Sequence, residues 1–225
     1  MSLSQFLRQV PLFDCLGEAE LEALAELTVT RSFDKGQFII MAEEPGDSLF
    51  IIRSGQVKVS LIHEDGKEFI LSLLGEGEVF GELSLLDDQP RSANVTAMAP
   101  TELVMLQRAN FRALMPRIPQ IAVSLLEELA QRLRRTDDQV EGLALLDVHH
   151  RVAKTILRLA ADQGEPTNGG VLITGRPTHQ QLANMAGTTR ETVTRELKQL
   201  EQQGYIVTRG RDIIVVSPED GGGGE

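Results

Sequence analysis

Two clusters of side chains have the types and spacing to bind charged ligands. The first runs Phe80-Gly81-Glu82-Leu83-Ser84-Leu85-Leu86, continues through Asp87-Asp88-Gln89 and ends Pro90-Arg91-Ser92-Ala93. Gly81 lets a ligand approach the backbone closely, and the residues after it can open a short helix whose free N–H groups point at an anion. Arg91 offers a fork of donors that fits a phosphate bidentately, and Ser92 adds a hydroxyl. Glu82 repels phosphate, and its carboxylate suits accepting a hydrogen bond from a sugar hydroxyl. A ligand with one phosphate and a ribose uses both residues. The alternative is a strand-turn-helix corner carrying an Arg–Glu pair on its surface.

The second cluster begins Thr178-His179-Gln180-Gln181-Leu182-Ala183-Asn184-Met185-Ala186-Gly187. Thr178 can cap one short helix and Gly187 can close it, and Thr188 or Thr189 starts another. Leu182, Ala183, Met185, Val193, Leu197 and Leu200 form the buried face. Arg190, Glu191, Thr194, Arg195 and Lys198 remain polar. Each arginine can grip a guanine, Glu191 can accept from a cytosine amino group, and Lys198 can reach a phosphate or a base. The alternative is a solvated charged face. Two features favour a winged helix-turn-helix: the donors sit in the first half of the helix, and a strand-turn-strand follows around residues 208–212.

The segments around these clusters show the scaffold that holds them. From 31 to 107, short apolar runs at 37–40, 49–52, 57–62 and 69–71 are separated by Asp34-Lys35-Gly36, Pro45-Gly46-Asp47, Ser54-Gly55 and Asp65-Gly66. Strands ending at recurrent glycines suit a small antiparallel β-roll or jelly roll. Residues 18–27 alternate acidic and apolar at helical spacing, so a short helix is expected to pack on the roll. Beyond 119 the period changes: Leu125, Leu129, Leu133, Thr136, Val140 and Leu143 step by four, four, three, four and three, a heptad seam. A narrow stripe on so long a helix is better covered by a second copy than by its own roll, so this is read as a dimer helix. Thr136 within it either sets the register or faces a ligand beside the coil. Asp147 can cap the next helix and serve as a hinge. That helix has Val148, Val152, Ile156, Leu157 and Leu159 or Ala160 on one face. A loop over 162–170 and a strand over 171–174 follow it, and the run Gly221 to Gly224 reads as a flexible tail.

Composition limits the function classes. The chain has 225 residues and a net charge of −11, with 41% hydrophobic side chains, enough for two ordinary domains. The acidity argues against nucleic acid until it is divided: residues 148–218 hold nine basic and six acidic side chains, leaving +3 there and −14 elsewhere. Residues 1–12 carry charge and polar breaks where a signal peptide needs an apolar stretch, and no run of about eighteen apolar residues occurs, so a cytoplasmic, non-membrane protein is expected. The lone Cys15 cannot supply the thiolates of an iron–sulfur cluster or a structural zinc site. His63, His149, His150 and His179 make no ligand set on the roll and no nucleophile–base set is present, which argues against a cupin-like enzyme. No metal, haem or cluster is expected.

Phe-Gly-Glu-Leu-Ser-Leu-Leu followed by Pro-Arg-Ser-Ala resembles the phosphate-binding cassette of the cyclic-AMP receptor protein / fumarate-nitrate regulator family, and Arg190-Glu191-Thr192-Val193-Thr194-Arg195 is similar to its recognition helix. The resemblance spans about residues 11–216. It implies an α+β fold: a cyclic-nucleotide-binding β-roll over 1–116, a dimerisation helix and hinge over 117–147, and a winged helix-turn-helix over 148–218, with a tail over 219–225. It also implies cyclic AMP as allosteric effector, held by Gly81, Glu82, Leu83, Ser84, Arg91 and Ser92, with Thr136 and Asp137 turned to the base. Family members have a threonine–serine pair there; Asp137 can accept from the adenine amino group but cannot donate to a ring nitrogen. Double-stranded DNA with a palindromic TGTGA-type site would be read by a homodimer through Thr178, His179, Thr189, Arg190, Glu191, Thr194, Arg195 and Lys198. His179 stands where relatives often carry an arginine that contacts the DNA backbone, and the 162–170 loop is where relatives touch RNA polymerase. Alternatives are the same regulator with another effector, such as 2-oxoglutarate, or with none, and a nucleotide-binding regulatory subunit of an enzyme.

Overall fold

A computed structural model describes residues 1–216 of the chain; the tail expected over 219–225 lies outside them. The chain forms two compact units, Met1–Arg135 and a second from Thr136 onward, divided inside one long helix.

The first unit opens with α1 (Leu3–Leu7), a 3-10 turn at Pro11–Phe13 and α2 (Glu18–Glu26). The strands are β1 (Thr28–Phe33), β2 (Phe38–Ile40), β3 (Ser48–Ser54), β4 (Val57–Ile62), β5 (Glu68–Leu74), β6 (Val79–Phe80), β7 (Asn94–Ala97) and β8 (Thr101–Gln107). Between β6 and β7 lies α3 (Leu83–Asp87), and after β8 come α4 (Arg108–Leu114) and α5 (Pro119–Leu145). The strands pair antiparallel in two four-stranded sheets, β1-β8-β3-β6 and β2-β7-β4-β5. Strand β3 shows why the roll holds together. Leu49 and Ile51 point to a core completed by Phe6, Leu7, Phe111 and Ile121 from the helices, while Phe50 and Ile52 point to a core between the sheets with Val57, Phe80 and Val95. With both faces covered, β3 reads as an unbroken apolar run rather than an alternating one. Each such side chain taken from water contributes about 1.5–3 kcal/mol.

Leu125, where the heptad stripe was expected to begin, does not lie on an exposed face. Leu125 is buried with Ile121 in the helix-side core and Leu129 is partly buried against it, so the first turns of α5 pack on the chain's own roll. The exposed large apolar side chains of α5 are Val123 (42%), Leu126 (66%), Leu133 (62%), Val140 (58%), Leu143 (47%) and Leu145 (76%). Leu125 and Leu126 lie about 100° apart around a helix, so only one of them can join the stripe facing away from the roll. Leu126, Leu133 and Val140 recur every seven residues, and Leu143 continues at the next three-residue step.

In the second unit α6 (Val148–Gln163) is capped by Asp147, whose carboxylate accepts from the His150 backbone N–H. It is followed by β9 (Glu165–Thr167), β10 (Gly170–Ile173), α7 (His179–Ala186), α8 (Arg190–Gln202), β11 (Ile206–Arg209) and β12 (Asp212–Val216). Helix α6 packs on α7 and α8, and the sheet is ordered β11-β12-β10-β9. Two expectations change. Leu157 is exposed, and Thr155 joins Val152, Ile156 and Leu159 on the buried face, because Leu157 falls one residue outside the three- and four-residue steps of that stripe. The segment 162–170 is not all loop: β9 is an edge strand pairing with β10, in register Thr167↔Gly170 and Pro166↔Val171. Pro166, which has no N–H to donate, is tolerated because the strand is at the sheet edge.

Candidate ligand and DNA sites

Around α3 the structure builds one tightly held corner. Gly81 leaves β6 at φ +81° and Glu82 precedes the helix. The left-handed φ favours a residue without Cβ, and a Cβ there would also meet Arg91 Nη1 at 2.6 Å. Arg91 is 8% exposed, and its guanidinium donates to the Gly81 carbonyl (2.7 Å), the Ser84 hydroxyl (2.9 Å) and the Ser48 carbonyl (2.9 Å). It also lies 5.7 Å from the centre of the Phe50 ring, which stacks on Phe80. Burial pushes the Arg91 pKa down, while Asp47 and Glu82 push it up; the guanidinium stays charged.

Glu82, 3% exposed, does not form the surface pair with Arg91 that the sequence left open. Its carboxylate accepts from Arg132 of α5 at 2.8 Å, and Arg132 also donates to Glu128 (2.9 Å) and to the Val79 carbonyl. Sequence reading missed Arg132. The available signal was its place one helical turn before Thr136 on the same helix. Ser84 is buried, whereas Leu83 and Ser92 are exposed.

The C-terminal end of α3 is held by two arginines of α4. Arg108 donates to the Ser84 carbonyl (2.8 Å) and Arg112 to the Leu85 carbonyl (2.8 Å), satisfying backbone groups that a five-residue helix leaves open. Both also pair with Asp88, which takes the left-handed conformation at φ 59°. Arg112 and Arg108 hold the Asp88 carboxyl below its usual range. Gly46 is a second residue the sequence did not single out beyond a turn. A Cβ there would meet Arg91 Nε at 2.3 Å and Ser84 Oγ at 2.4 Å, so the corner closes only over a glycine. Thr136 and Asp137 fall on α5, in the second unit.

In the second unit, Thr178 caps α7 in a reciprocal box with Gln181, Gly187 closes the helix at φ 61°, and Thr189 caps α8 by accepting from the Thr192 N–H. This is the turn geometry that glycine permits most readily. Arg190, Glu191 and Lys198 are exposed. Thr194 donates to the Arg190 carbonyl at 2.9 Å. His179 sits between Thr194 Oγ1 (Nδ1, 2.7 Å) and the Arg176 guanidinium (Nε2, 3.0 Å). A guanidinium only donates, so Nε2 carries the lone pair and Nδ1 the proton. Burial first, then Arg176 and Arg190, lower the His179 pKa. Arg195 is held at Nε and Nη2 by Glu196 Oε1 (3.1 and 2.9 Å).

Residues 30–117 match the cyclic nucleotide-binding domain family, and residues 150–220 match the Crp-like helix-turn-helix domain family. The chain is 32% identical over 217 residues to the CRP-like cAMP-activated global transcriptional regulator of Mycobacterium tuberculosis, covering 96% of this chain and 97% of that one. It is similar in structure to the catabolite activator protein of Thermus thermophilus, at 36% identity and TM-score 0.55, covering 91% and 93% of the two chains. A c-di-GMP responsive global regulator of Xanthomonas campestris superposes with TM-score 0.74 at 25% identity, covering 89% of this chain and all of that one. With a cyclic-nucleotide-binding roll, a long helix and a Crp-like helix-turn-helix in that order, this chain belongs to the CRP/FNR family of DNA-binding transcription regulators.

Proposed function

We propose that the chain acts as a homodimer that binds cyclic AMP at the α3 corner and, when occupied, binds a palindromic TGTGA-type site. The observation that carries this reading is the pair of almost fully buried opposite charges, Glu82 before α3 and Arg91 beyond it, each held by partners other than the other. A cyclic nucleotide supplies a complement to each: one phosphodiester charge for the Arg91 fork with Gly81, Ser84 and Ser92, and a ribose hydroxyl for Glu82. In this reading Leu83 lies beside the sugar, and Thr136 and Asp137 address the base. Residues 1–116 sense, 117–147 pair the copies through Leu126, Leu133, Val140 and Leu143, and 148–218 bind DNA. On the DNA side, Arg190, Glu191 and Arg195 read bases, and Thr178, His179, Thr189, Thr194 and Lys198 complete the contact. The segment 162–170 meets RNA polymerase, and the protein works in the cytoplasm. Ligand acts by its differential affinity for two arrangements of the dimer.

A second reading keeps the regulator and changes the base. Guanine presents two adjacent N–H donors, which one carboxylate can accept together, and Asp137 is a carboxylate where adenine binding calls for a donor as well. Calorimetric titration with cyclic AMP, cyclic GMP and cyclic di-GMP, on the wild type and on Arg91→Ala and Glu82→Gln, tests both. Cyclic AMP binding that both variants lose supports the first reading. Preference for a guanine nucleotide that Asp137→Ser abolishes supports the second. Binding of none of the three refutes the cyclic-nucleotide assignment.

A further inference from the structure

Glu196 is a charged residue in the buried layer of α8. It is 4% exposed, among Val193, Leu197 and Leu200 on that helix face, where an apolar side chain would pack at no desolvation cost. Its carboxylate is fully engaged. Oε2 accepts from His149 Nδ1 of α6 at 2.9 Å, and Oε1 accepts from Arg195 Nε at 3.1 Å and Nη2 at 2.9 Å. Neighbouring residues on a helix point about 100° apart, so the Arg195 side chain, 67% exposed, must bend round the helix to reach this oxygen. A guanidinium has five N–H groups. The carboxylate takes the Nε–H and one N–H of Nη2, and the edge formed by Nη1 and the second N–H of Nη2 is left to donate outward. That edge has the two-donor spacing that matches guanine O6 and N7.

We infer that Glu196, fixed by His149, is a positioning residue for DNA reading: it locks Arg195 so that only the outer guanidinium edge is offered to a base. This rests on the reading of Arg195 as a base contact given above. A long, flexible side chain held beforehand loses less freedom on binding, so the lock sharpens discrimination at one base pair instead of adding affinity everywhere.

The test selects sites for the full-length protein from random duplexes, with and without cyclic AMP. It then measures the cost of every single-base change in the selected half-site for the wild type, Arg195→Ala, Glu196→Gln and the double variant. Arg195→Ala should flatten preference at one base pair. Glu196→Gln, nearly the same shape without the charge, should cut discrimination at that same pair about tenfold, leave the other pairs within about twofold, and add nothing once Arg195 is gone. Equal loss at every pair, or an undiminished Glu196→Gln effect without Arg195, overturns the inference and makes the trio a tie between α6 and α8. If Arg195→Ala leaves all preferences as in the wild type, or the wild type selects no sequence, the underlying DNA reading fails and the inference falls with it. Should Glu196→Gln not melt cooperatively, His149→Ala replaces it, with about threefold loss expected at that pair and the same refuting outcomes.

Discussion

Gly46→Ala is a one-methyl change at a residue outside the expected ligand contacts that should disable the effector site by displacing two of them, Arg91 and Ser84. The added Cβ would lie 2.3 Å from Arg91 Nε, 2.5 Å from Arg91 Cζ and 2.4 Å from Ser84 Oγ, against an ordinary contact above 3.4 Å. Arg91 cannot swing away cheaply: it is 8% exposed and donates to Gly81, Ser84 and Ser48 at 2.7–2.9 Å. Hydrogen bonds from a charged group contribute about 1.5–3 kcal/mol each. Displacing the guanidinium enough to lose one or two costs roughly 2–4 kcal/mol of its readiness for phosphate, some 30- to 1000-fold in Kd. Gly75→Ala is the control, since a Cβ there meets nothing closer than 4.0 Å. Calorimetric titration with cyclic AMP, beside thermal melts of both variants, reads the result. A Gly46→Ala protein that melts like the wild type and binds cyclic AMP within about threefold of it refutes the argument that this glycine exists to seat Arg91.

Arg132→Ala leaves the Glu82 carboxylate buried without its ion-pair partner, so the first unit should lose about 3 kcal/mol of stability, read as an earlier urea transition; Glu82→Gln in the same background should restore part of it. His179 is neutral in the fold with a pKa below the ordinary 6.5, so on acidification the unfolded chain takes up its proton first. The part of the second unit's stability that depends on neutral His179 should be intact above pH 6.5 and decline as pH falls from there toward the lowered value, a dependence that His179→Gln should flatten in pH-series melts. Leu133→Glu with Val140→Glu removes two exposed apolar contacts from each copy and should weaken self-association by roughly 3–6 kcal/mol, visible as monomer in sedimentation at micromolar protein. Unchanged dimer would show that α5 is not the seam.

Features set by short-range rules were readable along the chain. Helix caps at Asp147, Thr178 and Thr189, the glycine closing α7 and the turns of the roll are local bargains between a side chain and the next few backbone groups, and they formed where the residues indicated. The cassette and recognition-helix patterns were legible for the same reason: their residues lie within about a dozen positions of one another. Tertiary structure decided what depends on partners distant in the chain. Which side of α5 turns to the roll, and so that Leu126 rather than Leu125 belongs to the exposed stripe, follows from the core laid down by α1, α2 and α4. That β9 exists is a consequence of β10 offering it an edge, not of any propensity in Glu-Pro-Thr. The pairings of Glu82 with Arg132 and of Glu196 with His149 join residues 50 and 47 positions apart. Periodicity reports which face of an element is apolar; only packing chooses what that face meets, because the free energy of a buried charge depends on its partner and not on its own identity.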